Sequence, residues 1–167
     1  MIRSIVVASA LFVSTLTAVK AQTTAVMEVT PESFVNTVAS SNAFEIQSSE
    51  LALQKATNPK LTEFANQMIA DHTKAAENLK AAADGQPVPD QLAPKHAGMI
   101  ALLEKAEGSE FDMLYTDMQA GAHAEAVSLF SNFASNGTDP ELKAFAAETL
   151  PTLEAHKQHI DQIAANP

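Results

Sequence analysis

The chain lacks cysteine and tryptophan and contains a single tyrosine among its 167 residues. Without cysteine it cannot form a disulfide framework, a zinc ribbon, an iron–sulfur cluster or a thiol nucleophile. Ten basic residues against twenty acidic ones give a net charge of −10, which disfavours binding to the phosphate backbone of nucleic acids. Only five residues are glycine, whereas 46% are hydrophobic, so the chain is a helix-rich globular protein rather than a disordered acidic tail.

Residues 1–21 have the pattern of a secretory signal peptide. Arg3 provides the positive charge, and the apolar stretch over residues 5–16 is too short to span a bilayer. We therefore expect cleavage near Ala21, a flexible segment over residues 22–30 and export to the periplasm or outer envelope. No cysteine stands near the cleavage site, which excludes a lipoprotein anchor, and the mature chain contains no transmembrane segment.

Four long segments show helical periodicity, and no segment of the mature chain shows strand alternation. Three of them begin with an N-cap residue followed by proline, at Thr30-Pro31, Asn58-Pro59 and Asp139-Pro140. The predicted long helices cover residues 31–56, 59–84, 109–135 and 140–164, and a short helix covers residues 95–107.

The lengths of the connections predict how these helices are arranged. Tight turns make the first pair of long helices antiparallel, and the second pair likewise. The connection over residues 85–108 is long enough to run back along a whole helix. We therefore predict an all-α, ferritin-like four-helix bundle over residues 31–165, with a long crossover that carries a short fifth helix. A simple up-down-up-down bundle is the alternative.

Helical wheels place one titratable side chain on or beside the apolar face of each long helix. These side chains are Glu45, His72, His123 and His156, in chain order. Each lies near the middle of its helix, so all four converge at one level of the bundle. Burying such groups without partners costs several kcal/mol, which one divalent metal ion would offset. Three imidazoles and a carboxylate suit Zn, Fe, Mn or Cu, so we predict one such ion.

Three further residues would support this site. Asp71 lies at the edge of the face that carries His72, and Met68 lies one turn before it, where a thioether would favour copper. Tyr115 is expected to pack in the core and to reach a carboxylate with its hydroxyl group.

Other residues receive structural interpretations. His96 and His159 are expected at the surface, and Asp112 is interpreted as a cap in the first turn of its own helix. Phe44 and Leu51 form a second apolar strip, which we expect to contact the crossover segment or a dimer partner.

Several short motifs, taken in order, resemble the secreted bacterial family known as domain of unknown function 4142. They are Phe34, Ala43-Phe44-Glu45, Met68-Ile-Ala-Asp71-His72, Phe111-Asp112 with Tyr115, His123, and Asp139-Pro140 through Leu150-Pro151 to His156. The resemblance implies an exported ferritin-like bundle and little about activity. The Glu-x-x-His motifs of ferritin-like di-iron proteins are missing, because Ile69 and Leu153 stand three residues before the histidines.

Three functions remain open from the sequence. The first is a non-enzymatic, envelope- or stress-related bundle with a divalent metal at the mid-bundle site. The second is a metalloenzyme with a redox centre there, and the third is a metal-free structural or interaction protein with a polar core. Because no catalytic motif is present, we expect a binding protein rather than an enzyme. A second copy of the chain and an envelope protein are the two partners that stay open.

Overall fold

A computed structural model describes residues 29–166 of the chain. The helices are α1 (Pro31–Lys55), α2 (Pro59–Ala82), α3 (Pro94–Leu103), α4 (Gly108–Asn136) and α5 (Pro140–Ala165). The prediction of an all-α fold is confirmed, and residues 29–166 contain no strand. The predicted signal peptide, and most of the segment predicted to follow it, lie outside the described residues.

Three of the long helices begin as the sequence predicts, with proline in the first turn and a side-chain cap before it. The capping bonds run to Thr30 Oγ1 from the Ser33 amide (3.2 Å), to Asn58 Oδ1 from the Lys60 amide (3.0 Å), and to Asp139 Oδ1 from the Leu142 amide (2.9 Å). These caps satisfy amide groups that the first turn of a helix leaves unpaired. They fix where α1, α2 and α5 start, and thereby which side chains face inward.

Two contacts between α1 and α4 establish the connectivity. At the end of α1, the Thr57 amide donates to Asp112 near the start of α4 (2.9 Å). At the other end, Phe34 in α1 stacks on Phe133 in α4 with ring centroids 3.9 Å apart. The two helices are therefore antiparallel, and the chain after α2 must travel the length of the bundle. This is the predicted ferritin-like arrangement, and the up-down-up-down alternative is excluded.

The interpretation of Asp112 as a cap of its own helix is wrong. Its carboxylate accepts hydrogen bonds from the amide and hydroxyl groups of Thr57 and from the Asn58 amide. It therefore holds the α1–α2 turn against α4, because that turn presents free amide groups next to it.

Helix α3 lies over the groove between α1 and α4. His96, expected at the surface, is 9% exposed, shares a 2.6 Å hydrogen bond with Ser40 Oγ and stacks on Phe44. That expectation is wrong, because α3 turns this side chain inward onto α1. The predicted contact of the Phe44 strip with the crossover segment is confirmed, since Phe44 belongs to the same apolar cluster as Leu103.

The apolar core is divided into two clusters, and every long helix contributes to both. One cluster includes Phe44, Leu61, Phe64, Met68, Phe111, Tyr115 and Ile160. The other includes Phe34, Val38, Leu79, Phe130, Phe133, Leu142 and Phe145. Along α2, α4 and α5, the predicted histidine stands between the stretches that supply the two clusters, and on α1 Glu45 directly follows Phe44 of the first cluster. The buried polar side chains thus form a layer across the middle of the bundle.

None of the five helices in the described part of the chain combines the length and the apolarity that crossing a bilayer requires.

Position 137, directly after α4, requires glycine because its backbone lies very close to Phe133. Its φ is −58°, which any residue adopts, but a Cβ atom here would lie 2.6 Å from the Phe133 carbonyl oxygen and 2.7 Å from its ring. We expect Gly137→Ala to lower the free energy of unfolding by about 1–3 kcal/mol, measured by urea denaturation. Gly121→Ala is the control, because an added Cβ meets nothing within 4 Å there. This helical, exposed position should gain about 0.5–1 kcal/mol, and equal effects at the two positions would contradict the explanation.

Candidate metal centre

The layer between the two apolar clusters contains buried polar side chains from all four long helices. Its members are Asn42, Glu45 and Ser49 on α1, His72 on α2, Gln119 and His123 on α4, and His156 on α5. Each lies on the inward face of its helix, three or four residues from an apolar core residue in most cases, as the 3.6-residue period requires. The sequence prediction that Glu45 and the three histidines share one level of the bundle agrees with this placement.

His72, His123 and His156 form a triangle at the centre of the layer. Their ring centroids lie 5.4–5.8 Å apart, and their exposures are 4%, 1% and 1%. One ring nitrogen from each lies within 4.8 Å of one from each of the others. Nitrogen ligands of a single metal ion lie about 3–4 Å from one another, so the triangle is close to the size that an ion requires.

Each imidazole uses one ring nitrogen for a hydrogen bond to a residue outside the triangle. The pairs are His72 Nδ1 with Asn42 Oδ1 (2.8 Å), His123 Nδ1 with the Gln119 carbonyl oxygen (2.9 Å), and His156 Nε2 with Asp71 Oδ2 (2.8 Å). All three partners are oxygen atoms that only accept, so each imidazole donates its N–H there. The remaining ring nitrogen of a neutral imidazole then carries a lone pair.

These second nitrogens are buried and have no hydrogen-bond partner among residues 29–166. They are Nε2 of His72, Nε2 of His123 and Nδ1 of His156. A buried acceptor without a partner costs about 1–3 kcal/mol, and here three occur in one layer. A cation bound by all three lone pairs would remove this cost. The donor set therefore fits a transition metal that prefers imidazole nitrogen.

The electrostatic environment keeps the three imidazoles neutral at pH 7. Burial lowers the pKa of His72 well below 6.5, and the other two histidines lower it further. Burial also lowers the pKa of His123 to about 4. For His156, burial lowers the pKa while the hydrogen bond to Asp71 opposes that shift. Neutral imidazole is the form that binds metal, so protons compete weakly for these nitrogens.

Glu45 lies in the layer but beside the triangle. Its Oε1 is 3.9 Å from Nδ1 of His123, the nitrogen that donates to Gln119, and its Oε2 has no hydrogen-bond partner in the described part of the chain. Burial raises the pKa of Glu45 to about 8, although the Gln119 side chain lowers it in part. An adjacent cation would favour the ionised form of this carboxyl group. Its role as a metal ligand stays a prediction.

The three residues predicted to support the site have different surroundings. Asp71 accepts the hydrogen bond from His156, and Met68 is fully buried in an apolar cluster one turn before His72. Tyr115 is fully buried as predicted, but its hydroxyl group bonds Ser49 Oγ at 2.9 Å instead of a carboxylate. The carboxylate prediction is wrong because Ser49, one turn beyond Glu45 on α1, occupies the position opposite the phenol.

Gln119 is the residue of the layer that sequence reasoning missed. Its backbone oxygen orients His123, and its side-chain Nε2 donates to Ser48 Oγ at 3.0 Å. A signal was present, because Gln119 stands four residues before His123 and so shares its helix face.

Comparisons with known proteins add a family and a structural neighbour. The model of one family, described as "Domain of unknown function (DUF4142)", matches residues 16–163, which confirms the resemblance predicted from the sequence. Among solved structures, the chain is similar to "CopM in the Cu(II)-bound form", with a TM-score of 0.70 and 25% sequence identity. The similarity covers 84% of this chain and 99% of that one. No curated protein matches the chain.

Proposed function

The chain belongs to the DUF4142 family, and from that premise we propose that it is an exported copper-binding protein whose ligands are His72, His123 and His156. One observation carries the proposal: three buried imidazoles on three helices each donate one N–H outward and leave the other nitrogen without a partner. Histidine ligands of metals have this arrangement, in which an outer acceptor fixes the tautomer and the ring orientation. Among the functions left open by the sequence, this arrangement favours a non-enzymatic protein that binds one metal ion.

Copper is the metal that the observations favour. Imidazole nitrogen suits several divalent metals, and at a given nitrogen site copper binds most tightly among the first-row divalent ions. The structural neighbour was solved with Cu(II) bound, which supports the same choice for this chain. Export fits the choice, since the sequence pattern of residues 1–21 predicts secretion and the absence of cysteine leaves histidine, carboxylate and methionine as ligands.

Metal analysis tests the proposal directly. Protein purified without a histidine tag and reconstituted with Cu²⁺, then passed over a desalting column, should retain about one copper per chain, as a single three-histidine site requires. A competition with Zn²⁺ should leave copper bound, in line with the Irving–Williams order. Retention of less than about a tenth of an equivalent would overturn the metal site and leave the metal-free structural alternative. Redox turnover of the bound ion with a peroxide would instead support the metalloenzyme.

Asp71 is expected to raise the affinity of the site without binding the metal. Asp71→Ala removes the acceptor that orients His156, so copper affinity should fall about 10–100-fold while the stoichiometry stays at one. Competition titration against a chelator of known affinity measures the change. Glu148→Ala is the matched control, because this exposed carboxylate lies nearby on α5 and contacts none of the three histidines in the described hydrogen bonds. An equal loss in both variants would indicate a general charge effect instead.

A further inference from the structure

The groove between α2 and α5 opens toward the three-histidine layer. A cleft of about 260 Å³ occupies this groove, and Asp71, His72 and His156 form part of its lining. Its remaining polar lining consists of Lys74, Asn78, Glu148, Thr149 and Thr152. Two of the three proposed copper ligands therefore border a space that reaches solvent, although their own side chains are almost fully buried.

The other grooves of the bundle are less open to the layer. Helix α3 covers the groove between α1 and α4, and the cavity there, of about 180 Å³, is lined by residues such as Thr37 and His96 but by none of the three histidines. The α1–α2 and α4–α5 grooves lie within hairpin pairs, which have the most extensive helix contacts. No helix among residues 29–166 covers the α2–α5 groove.

Asp71 lies in the lining of the cleft and also contacts one of the three buried histidines. Its side chain is 39% exposed, yet its Oδ2 accepts the hydrogen bond from the buried ring of His156. Glu148 lies on the α5 side of the cleft and Lys74 on the α2 side. The cleft thus presents two carboxylates and one ammonium group to an approaching cation, and electrostatic steering makes the rate of approach sensitive to such charges.

We infer that Cu²⁺ reaches and leaves the three-histidine centre through the α2–α5 cleft, past Asp71. This inference rests on the proposed function. A group that only obstructs the route changes the barrier and not the bound or free state. It therefore slows association and dissociation by the same factor and leaves the dissociation constant unchanged.

Two threonine-to-tryptophan substitutions test the route. Thr152→Trp places a large ring in the cleft, and Thr37→Trp places the same ring in the cavity beside α3; both threonines are exposed positions on long helices. Association of Cu²⁺ with metal-free protein is followed by stopped flow, and dissociation by transfer to an excess of a chromophoric chelator. Thr152→Trp should slow both rates by about tenfold or more with an unchanged dissociation constant, whereas Thr37→Trp should change neither.

Two exposed lysines on α2 provide a second test, in which a change of charge leaves the packing of the core unchanged. Lys74 lies in the cleft lining and Lys80 does not, and both are exposed. Lys74→Glu should speed Cu²⁺ association severalfold at low salt, and high salt should remove the gain, because it screens exposed charges. Lys80→Glu makes the same change in net charge and should have a clearly smaller effect.

The outcomes separate the route from the site. Wild-type rates in Thr152→Trp, or equal effects of Lys74→Glu and Lys80→Glu, would overturn the route while the copper site stands. A Thr152→Trp variant that associates with Cu²⁺ at the normal rate but releases it faster would also overturn the route, since the residue would then act on the site itself. Absence of copper binding in the wild-type chain would overturn the proposed function instead. If Thr152→Trp does not fold, as judged by circular dichroism, the lysine pair decides.

Discussion

Replacing His72 with alanine is expected to abolish tight copper binding. The variant removes one of the three imidazoles whose ring nitrogens lie within 4.8 Å of one another, and alanine supplies no side-chain atom that can bind a metal. Loss of an outer partner of a metal ligand costs about 10–100-fold in affinity, so loss of the ligand itself should exceed about 100-fold. Copper retained after desalting should fall from about one equivalent per chain to near zero.

The melting temperature with and without copper provides a second measurement on the same variant. A ligand present at 100 times its dissociation constant stabilises the folded state by about 2.7 kcal/mol, so copper should raise the melting temperature of the wild-type chain. The melting temperature of His72→Ala should not respond to copper. His159→Ala is the control, because this half-buried histidine lies one turn from His156 and its Nδ1 contacts Gln67 at 3.3 Å. It should keep both the stoichiometry and the thermal response, and a loss there equal to that of His72→Ala would place the copper elsewhere.

Glu45→Gln is expected to stabilise the metal-free protein increasingly as the pH rises. Burial raises the pKa of Glu45 from the ordinary 4.5 to about 8 in the folded chain. Between these values the folded chain holds a proton that the unfolded chain has released. The contribution of this carboxyl group to stability is therefore complete below pH 4.5 and is lost as the pH rises through 8. Glutamine does not titrate and so escapes the loss.

The measurement compares two chains at two pH values. The unfolding free energy of Glu45→Gln minus that of the wild-type chain should grow by about 3 kcal/mol between pH 5 and pH 8, at 1.4 kcal/mol per pKa unit. Comparison at equal pH largely removes the histidine contributions, which change with pH in both chains. Glu77→Gln, at an exposed position on α2, is the control and should show no such growth. A pH-independent difference would mean that Glu45 is ionised in the folded chain.

The same substitution separates the two roles open to Glu45. A direct ligand would be lost in Glu45→Gln, with a fall in copper affinity beyond about 100-fold. A neighbouring charge that only balances the cation would produce a smaller fall, and the three histidines would still hold one copper. The position of its Oε1, next to the donating nitrogen of His123, favours the smaller effect.

The sequence predicted the fold and the histidine layer because both depend on periodicity. Proline after an N-cap residue marks where three long helices start, and a 3.6-residue repeat places His72 and His156 among apolar positions. Connection lengths favour the crossover arrangement, and the contacts between α1 and α4 exclude its alternative. None of the inferences from the sequence required knowledge of which side chains meet across helices.

The errors arose where a residue depends on a partner from another helix. His96 lies on a short helix whose wheel does not reveal that α3 presses it onto Ser40 and Phe44. Asp112 has the sequence position of a cap, but the α1–α2 turn is close enough to take its carboxylate. The hydrogen bonds from the histidines to their outer partners could not be predicted either, because a helical wheel gives the direction of a side chain but not the tautomer of its ring.

The division of the core into two apolar clusters has a consequence for ion binding. Each cluster closes one end of the bundle with side chains from all four long helices, whereas the layer between them contains six polar atoms without hydrogen-bond partners among the described residues. Neither cluster includes any of the three histidines, so the residues that hold the bundle together are separate from those that would hold an ion. Changes in the polar layer can therefore alter ion binding while the apolar contacts at both ends of the bundle are kept.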